Sequence, residues 1–176
     1  LLVTDSIAKY YSVNISTGEL NWSKFNDYPF NSNIKKYKDK IFVIDYKNTL
    51  RCYKIKDGSE CWNLQTEDSF TVSNIKKYKD KIFVIDHKNT LRCYKIKDGS
   101  ECWNLQTEDS FTISNIKYSL IILNDNVIFN NSIGDITAVD IETGLITWQL
   151  PTQSSSIINE TYNFKTSKLV SDGNSV

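Results

Sequence analysis

The chain has 176 residues, of which 40% are hydrophobic and 12% aromatic, and its 21 basic and 21 acidic side chains give zero formal net charge. This composition suits one domain with a sizeable core and argues against a nucleic-acid-binding protein, which needs an unbalanced basic patch. No apolar run approaches the roughly 20 residues of a membrane-spanning helix. The chain begins without methionine and is expected to be part of a longer protein, so the lack of a signal peptide says nothing about localisation.

The chain consists of repeats of about 40 residues. Ser32–Val72 recurs 41 residues later as Ser73–Ile113, and the copies differ at only two positions, Tyr46/His87 and Val72/Ile113. A period of this length, with short apolar runs and turn residues at fixed offsets, is typical of a β-propeller, whose blades are four-stranded antiparallel sheets. The sequence therefore predicts an all-β propeller with about four blades per chain.

The first blade, residues 1–27, is predicted to lack its first strand. Leu1–Thr4 reads as a short apolar strand, and Ala8–Ile15 with Glu19–Ser23 as a hairpin. Residues 160–176, where Phe164–Val170 reads as a strand, are expected to complete this blade. Such closure removes the exposed sheet edge that invites aggregation.

The next two blades, residues 28–68 and 69–109, come from the near-identical repeats. In the earlier one, Ser32–Tyr37 is the expected inner strand. Ile41–Ile44 is apolar on both faces, which indicates a strand sandwiched between neighbouring blades.

The fourth blade, residues 110–153, is more divergent. Its strands are expected at Ser119–Leu123, Asn126–Phe129, Ile136–Ile141 and Leu145–Leu150. Pro151–Asn159 is polar and rich in serine, and reads as a connector.

A glycine four residues before each tryptophan recurs in every blade. The pairs, which use every tryptophan in the chain, are Gly18 and Trp22, Gly58 and Trp62, Gly99 and Trp103, and Gly144 and Trp148. Leu50–Ile55 and Ser59–Leu64 read as a hairpin with Gly58 in the left-handed conformation. Pairing of Ile55 with Ser59 would place Cys52 opposite Trp62. A small residue facing the indole leaves room for the ring, which buries about 200 Å², to dock on a neighbouring blade.

Residues 138–148 carry the most specific motif. Their sequence, Ala-Val-Asp-Ile-Glu-Thr-Gly-Leu-Ile-Thr-Trp, resembles the tryptophan-docking motif of the PQQ-like (quinoprotein-type) propeller repeat, A-x-D-x-x-T-G-x-x-x-W, at every defined position. The first copy keeps Thr17, Gly18 and Trp22, and the middle copies keep only glycine and tryptophan. Four copies in register cover nearly the whole chain, which is identified as a member of this family.

Three architectures fit the repeats. One chain could close as a four-bladed ring. Alternatively, two chains could join head to tail as a homodimer with eight blades, a number that the resemblance implies is frequent in this family. An open part of a longer propeller is the third alternative. Blade angles that suit eight blades do not suit four, and a head-to-tail contact closes only when the rotation fits; the eight-bladed pair of chains is preferred.

The four cysteines form two pairs, each nine residues apart: Cys52 with Cys61, and Cys93 with Cys102. In the predicted register Cys61 lies opposite Tyr53 and Cys52 points to the other face, so no disulfide is expected. The spacing also lacks the C-x-x-C form of zinc sites. The cysteines are interpreted as small, half-buried core residues.

Few other residues suggest chemistry. His87 is the only histidine; it aligns with Tyr46 and is interpreted as a solvent-facing turn residue. Asp45 and Asn48 place a carboxylate and an amide at one turn, which is too few oxygen ligands for calcium. No residue is assigned a catalytic, cofactor-binding or metal-binding role, and no cofactor is expected.

The family resemblance implies an enzymatic alternative. Quinoprotein dehydrogenases of this fold bind pyrroloquinoline quinone at the ring axis, in the alcohol dehydrogenases against a disulfide of adjacent cysteines, with calcium held by acidic and amide side chains. This chain has no adjacent cysteines, and none of those ligands maps onto it. A fragment of a PQQ-dependent dehydrogenase is therefore the second hypothesis.

The leading hypothesis is a non-enzymatic scaffold for protein–protein interaction. The chain is similar to the propeller lipoproteins of the outer-membrane β-barrel assembly machinery in its repeat and in lacking a cofactor site. That resemblance implies a periplasmic or envelope-associated location and protein partners of unknown identity. Nucleic acid and a membrane span are not expected.

Overall fold

The computed structural model describes residues 1–65, 75–86, 90–107, 119–130, 135–151 and 169–171. Their strands form four antiparallel sheets, in each of which the strands follow one another in chain order. The predicted all-β propeller of about four blades is confirmed.

The four sheets are called blades 1 to 4. Blade 1 contains β1 (Leu2–Thr4), β2 (Lys9–Val13) and β3 (Leu20–Phe25). Blade 2 contains β4 (Lys35–Tyr37), β5 (Lys40–Ile44), β6 (Thr49–Lys54) and β7 (Glu60–Gln65). Blade 3 contains β8 (Lys76–Tyr78), β9 (Lys81–Ile85), β10 (Thr90–Lys95) and β11 (Glu101–Gln106). Blade 4 contains β12 (Leu120–Leu123), β13 (Asn126–Asn130), β14 (Ile136–Asp140) and β15 (Ile146–Leu150).

The core lies between blades, and β5 shows why. Because successive side chains of a strand point to opposite faces, Ile41 and Val43 pack towards blade 1 while Phe42 and Ile44 pack towards blade 3. All four are buried. The prediction of a strand sandwiched between neighbouring blades is confirmed.

The inner strand of blade 2 is shorter than the predicted Ser32–Tyr37. Only Lys35–Tyr37 forms a ladder with β5. Upstream, the Ile44 N–H donates to Ser32 Oγ at 2.8 Å, and the Asn31 N–H donates to the Ile44 carbonyl at 2.7 Å. A serine side chain therefore replaces a backbone partner, which interrupts the strand.

The hairpin between β6 and β7 contains a β-bulge that the sequence does not reveal. Gly58 has φ of 69°, and Cys52 lies opposite Trp62, as predicted. The pairing of Ile55 with Ser59 is wrong, because Tyr53 lies opposite Glu60 and Cys61 is an extra residue. The same register shift occurs in the corresponding hairpins of the other three blades.

Blade 1 has three strands among the described residues. Of the strand expected at Phe164–Val170 to complete it, only Leu169 and Val170 are described, and neither lies in a strand. The Leu169 N–H donates to Ser119 Oγ, at the start of blade 4, at 2.8 Å.

Candidate functional site

The first three tryptophans join each blade to the next. Trp22 Nε1 donates to the Ile55 carbonyl at 2.9 Å, and its ring covers Gly58 so closely that an added Cβ would lie 2.7 Å from Cζ3. The same two contacts join Trp62 to Ile96 and Gly99, and Trp103 to Ile141 and Gly144. The predicted docking of an indole on a neighbouring blade is therefore found three times.

Glycine is required at the covered position for two reasons. Gly99, for example, has φ of +77°, a conformation that side chains rarely adopt. An added Cβ there would also come within 2.9 Å of Trp62 Cδ2. The glycine thus serves both the hairpin turn of its own blade and the ring of the preceding blade.

Other side chains reinforce individual joints. Tyr10 Oη donates to the Gly58 carbonyl at 2.9 Å, and burial raises the pKa of Tyr10 to about 12. Lys40 Nζ donates to the Ile96 carbonyl at 3.1 Å. Lys81 Nζ donates to the Ile141 carbonyl at 3.2 Å. The sequence analysis missed these residues, because a contact between positions tens of residues apart leaves no local pattern.

The fourth tryptophan and the first glycine have no such partner among the described residues. Trp148 is 43% exposed, whereas the other three tryptophans are half-buried. Nothing lies within 4 Å of a Cβ built on Gly18. Ile15, which corresponds to Ile55, Ile96 and Ile141, is 82% exposed, and Ile141 only 1%. Each end of the blade array therefore shows one half of the joint.

The end strand β15 is apolar as well as exposed. Every one of its residues is exposed, and Ile146 and Leu150 are 45% and 55% exposed. Leu145, just before the strand, is 68% exposed. A contiguous apolar patch of this kind is typical of a protein-binding surface.

Asp45 is a structural residue. Its buried carboxylate accepts hydrogen bonds from the Thr49 N–H at 3.0 Å and from Arg51 Nε at 2.7 Å. The Arg51 pKa is raised above its ordinary value by its hydrogen bonds to Asp45 and Glu60, although burial opposes the shift. The carboxylate is thus committed to the turn and to an ion pair.

The interpretation of the cysteines as core residues is confirmed, but the faces assigned to them are wrong. Cys52 is fully buried and Cys61 is half-buried, and both pack in the same cluster between blades 2 and 3. The bulge turns Cys61 to the face of Cys52, so that the two thiols lie on the same side of the hairpin. Cys93 and Cys102 repeat this arrangement between blades 3 and 4.

Neither a metal site nor a membrane helix is found in the described part of the chain. No group of three or more His, Cys, Asp or Glu side chains there could hold a metal ion. No helix in those residues is long and apolar enough to cross a membrane. His87, expected at a turn, lies outside the described residues.

Comparison with known proteins agrees with the repeat. A family profile described as outer membrane protein assembly factor BamB matches residues 11–176. The predicted membership in the PQQ-like propeller family is confirmed. No curated protein matches the chain in sequence.

Similar solved structures include proteins of different function. BamB from Moraxella catarrhalis matches with a TM-score of 0.69 and 16% identity, over 84% of this chain and 44% of that chain. The computationally designed Ika8 protein matches at 0.68 and 15%, over 84% and 45%. A europium-containing methanol dehydrogenase matches at 0.66 and 12%, over 85% and 39%. These likenesses show the fold alone, and the chain spans less than half the length of each.

Proposed function

We propose that the chain, which belongs to the family of the outer membrane protein assembly factor BamB, is a non-enzymatic scaffold that binds proteins. One observation carries this proposal: the end faces expose apolar residues that are half-buried or buried at the internal joints. Trp148 and Ile15 are the examples whose counterparts at the internal joints can be compared directly. Exposed apolar surface costs free energy in water, and binding a protein recovers it.

The family relationship supports an envelope location. The matching profile is described as an outer membrane protein assembly factor, which supports a place in the cell envelope. We therefore propose a periplasmic or envelope-associated protein, with residues 1–27, 28–68, 69–109 and 110–153 as its successive blades. The complete reading frame tests the location: a lipoprotein signal ahead of this chain would support it, and a frame that lacks any export signal would contradict it.

A second candidate is a fragment of a PQQ-dependent dehydrogenase, which the likeness to a methanol dehydrogenase favours. Two facts weigh against it. The cysteines lie nine residues apart in the sequence rather than adjacent, and each pair lies within the outer hairpin of a blade. Fold alone does not fix function.

Titration with pyrroloquinoline quinone and calcium separates the two candidates. We expect no stoichiometric binding by equilibrium dialysis and no new absorption band from a protein-bound quinone. The same titration with excess chelator in place of calcium controls for non-specific adsorption. Tight binding of one quinone per chain that requires calcium would overturn the scaffold proposal in favour of the enzyme.

A further inference from the structure

We propose that the two open ends of the blade array bind each other between two copies of the chain. In this joint, Trp148 of one copy lies on Gly18 of the other, and Trp148 Nε1 donates to the Ile15 carbonyl. The inference rests on the proposed scaffold function, and it names one partner of that scaffold as a second copy.

The three internal joints define the rule that leads to this pairing. In each, the indole covers the glycine of the next hairpin and donates to the carbonyl three residues before that glycine. Applied to the last tryptophan and the first hairpin, the rule selects Gly18 and Ile15. The new contact thus continues an interface already present three times.

The exposures of the equivalent glycines agree with this pairing. Gly58, Gly99 and Gly144 are buried beneath an indole, whereas Gly18 is exposed. Gly18 also has the required backbone, with φ of +74°, the same value as Gly144. The acceptor hairpin is therefore already shaped for a ring that the described residues of its own chain do not supply.

Two copies are the number expected to close the ring of blades. The joint is head to tail, so it leaves an unused half at each end unless a ring closes. One chain matches 44% of the BamB chain and 45% of the Ika8 chain. Two copies, linked by two identical joints, therefore span nearly the length of one such chain.

Light scattering on a sizing column tests the joint. We expect the unchanged chain to have twice its 20.3 kDa mass, and Trp148→Ala to have the mass of one chain. Gly18→Val should also be monomeric, because its side chain would occupy the space of the indole. Ile7→Lys is the matched control: it removes an exposed apolar residue outside the two contacting hairpins, gives the residue found at the corresponding turn of blade 2, and should leave the dimer intact.

Mixing the two monomeric variants tests the direction of the contact. Trp148 of the Gly18→Val chain can still dock on Gly18 of the Trp148→Ala chain. One joint out of two is then restored, so the mixture should form a weak heterodimer that neither variant forms alone.

Failure of the joint and failure of the scaffold function give different results. A one-chain mass for the unchanged protein, or a dimer that survives both substitutions, would overturn the joint and leave the scaffold proposal standing. Calcium-dependent quinone binding by an intact dimer would overturn the scaffold function and leave the joint standing.

A different observation carries a second proposal. The structure assigns two oxidisable dithiol sites, Cys52 with Cys61 and Cys93 with Cys102, one in each of the near-identical hairpins. In each pair, the bulge places the half-exposed thiol on the same face as the buried thiol.

Blade 1 gives independent evidence for the proximity of these positions. There, Ser12 and Asn21 replace the two cysteines, and Asn21 Nδ2 donates to Ser12 Oγ at 3.0 Å. Side chains at these positions therefore reach each other across the hairpin. A cross-strand disulfide needs such proximity on one face.

Oxidation would proceed by thiol–disulfide exchange with a small disulfide such as glutathione disulfide. The Cys61 thiolate attacks one glutathione sulfur and releases a glutathione thiolate, which leaves a mixed disulfide. The Cys52 thiolate then attacks Cys61 Sγ and releases the second glutathione. The protein loses two protons and two electrons, and one glutathione disulfide becomes two glutathione molecules. Because burial raises the pKa of Cys52, the second step is expected to quicken as pH rises.

Intact-mass measurement with peptide mapping tests the dithiol sites. After treatment with glutathione disulfide, the folded protein should lose four hydrogen atoms, and the peptides should link Cys52 to Cys61 and Cys93 to Cys102. Cys61→Ser should lose only two hydrogens and leave Cys52 unmodified, whereas Cys52→Ser should retain a mixed disulfide at Cys61. Links between different hairpins, or no loss of hydrogen in the folded protein, would overturn this proposal.

Discussion

Trp103 and Trp148 hold the same place in their hairpins and differ in what covers them. Trp103 lies on Gly144 and donates to the Ile141 carbonyl at 3.0 Å, and its ring centroid is 5.8 Å from that of Phe83. Trp148 belongs to the copy with the most complete motif, yet it is 43% exposed. The motif therefore positions an indole, and the neighbouring blade decides whether that indole stabilises the fold.

The first and second joints contain the same contact between indole and glycine, but different side chains surround it. Trp22 packs edge to face against Tyr10 at 5.7 Å. Trp62 instead packs at a tilt against Phe42 at 5.8 Å, and Lys40 bonds the facing turn. Only the indole on glycine and its bond to a carbonyl recur, so these are the contacts that define a joint.

The largest effect is expected from removing a covered indole. Trp103→Ala should lower the free energy of unfolding by about 3–5 kcal/mol, because it leaves a cavity between blades. Trp148→Ala should change it by less than about 1 kcal/mol, as for a surface substitution. Urea unfolding measures both in the Gly18→Val background, where the two-copy joint cannot form. Equal losses would show that the two indoles are equally covered.

A smaller effect is expected from the glycines. Gly18→Ala should lower the free energy of unfolding by about 1 kcal/mol, because alanine disfavours the left-handed backbone conformation. Gly99→Ala has the same backbone effect and also displaces the Trp62 ring, so it should lower the free energy of unfolding by about 2–4 kcal/mol. Urea unfolding measures both losses at a protein concentration that keeps the two variants monomeric. The difference between the losses is the contribution of the Trp62 ring. If the two losses are equal, the ring does not press on Gly99.

The pH dependence of the first joint should be smaller again. The Tyr10 pKa is raised to about 12 in the folded state, so its stabilising contribution is fully present below pH 10 and is lost as pH rises towards 12. At pH 11 the loss is about 1.4 kcal/mol. The difference in unfolding free energy between the unchanged chain and Tyr10→Phe should be constant below about pH 9 and decrease above it. A constant difference up to pH 11 would contradict the assignment.

Much of the fold could be predicted because its determinants are local. Gly58 marks a left-handed turn, and an uninterrupted apolar run such as Ile41–Ile44 marks a strand covered on both faces. From these, the strands followed to within a few residues. The inner strand of blade 2 was placed too long, because the bond from the Ile44 N–H to Ser32 Oγ joins residues 12 positions apart.

The candidate site could be predicted only in part. The pairing of Cys52 with Trp62 was predicted correctly. From it followed the position of the ring over its hairpin and its docking on a neighbouring blade. The bulge at Cys61 has no signature in the local sequence, and missing it reversed the face of that thiol. The carbonyl of Ile96 as acceptor of Trp62 Nε1 was also out of reach, since it depends on the angle between two blades.

The change expected to matter least for the fold removes the most residues. Deleting Ser73–Ile113 takes out one of two near-identical repeats, and it brings Trp62 to the place in sequence that Trp103 now holds. Because Gly144 and Ile141 accept Trp103 in the same way as Gly99 and Ile96 accept Trp62, the joint can re-form with no new contact. We expect a soluble protein with one cooperative urea transition, although it has one joint fewer.

Deletion of Thr49–Tyr78 is the control, because it removes strands β6 to β8 and joins β5 directly to β9, which hold the same place in their blades. That variant should lose its cooperative transition. If the in-register deletion aggregates as readily, the number of blades is fixed by the closed ring and not by the joints alone. A folded three-blade chain that no longer dimerises would separate the two requirements, since the joint would be intact while the rotation needed for closure is lost.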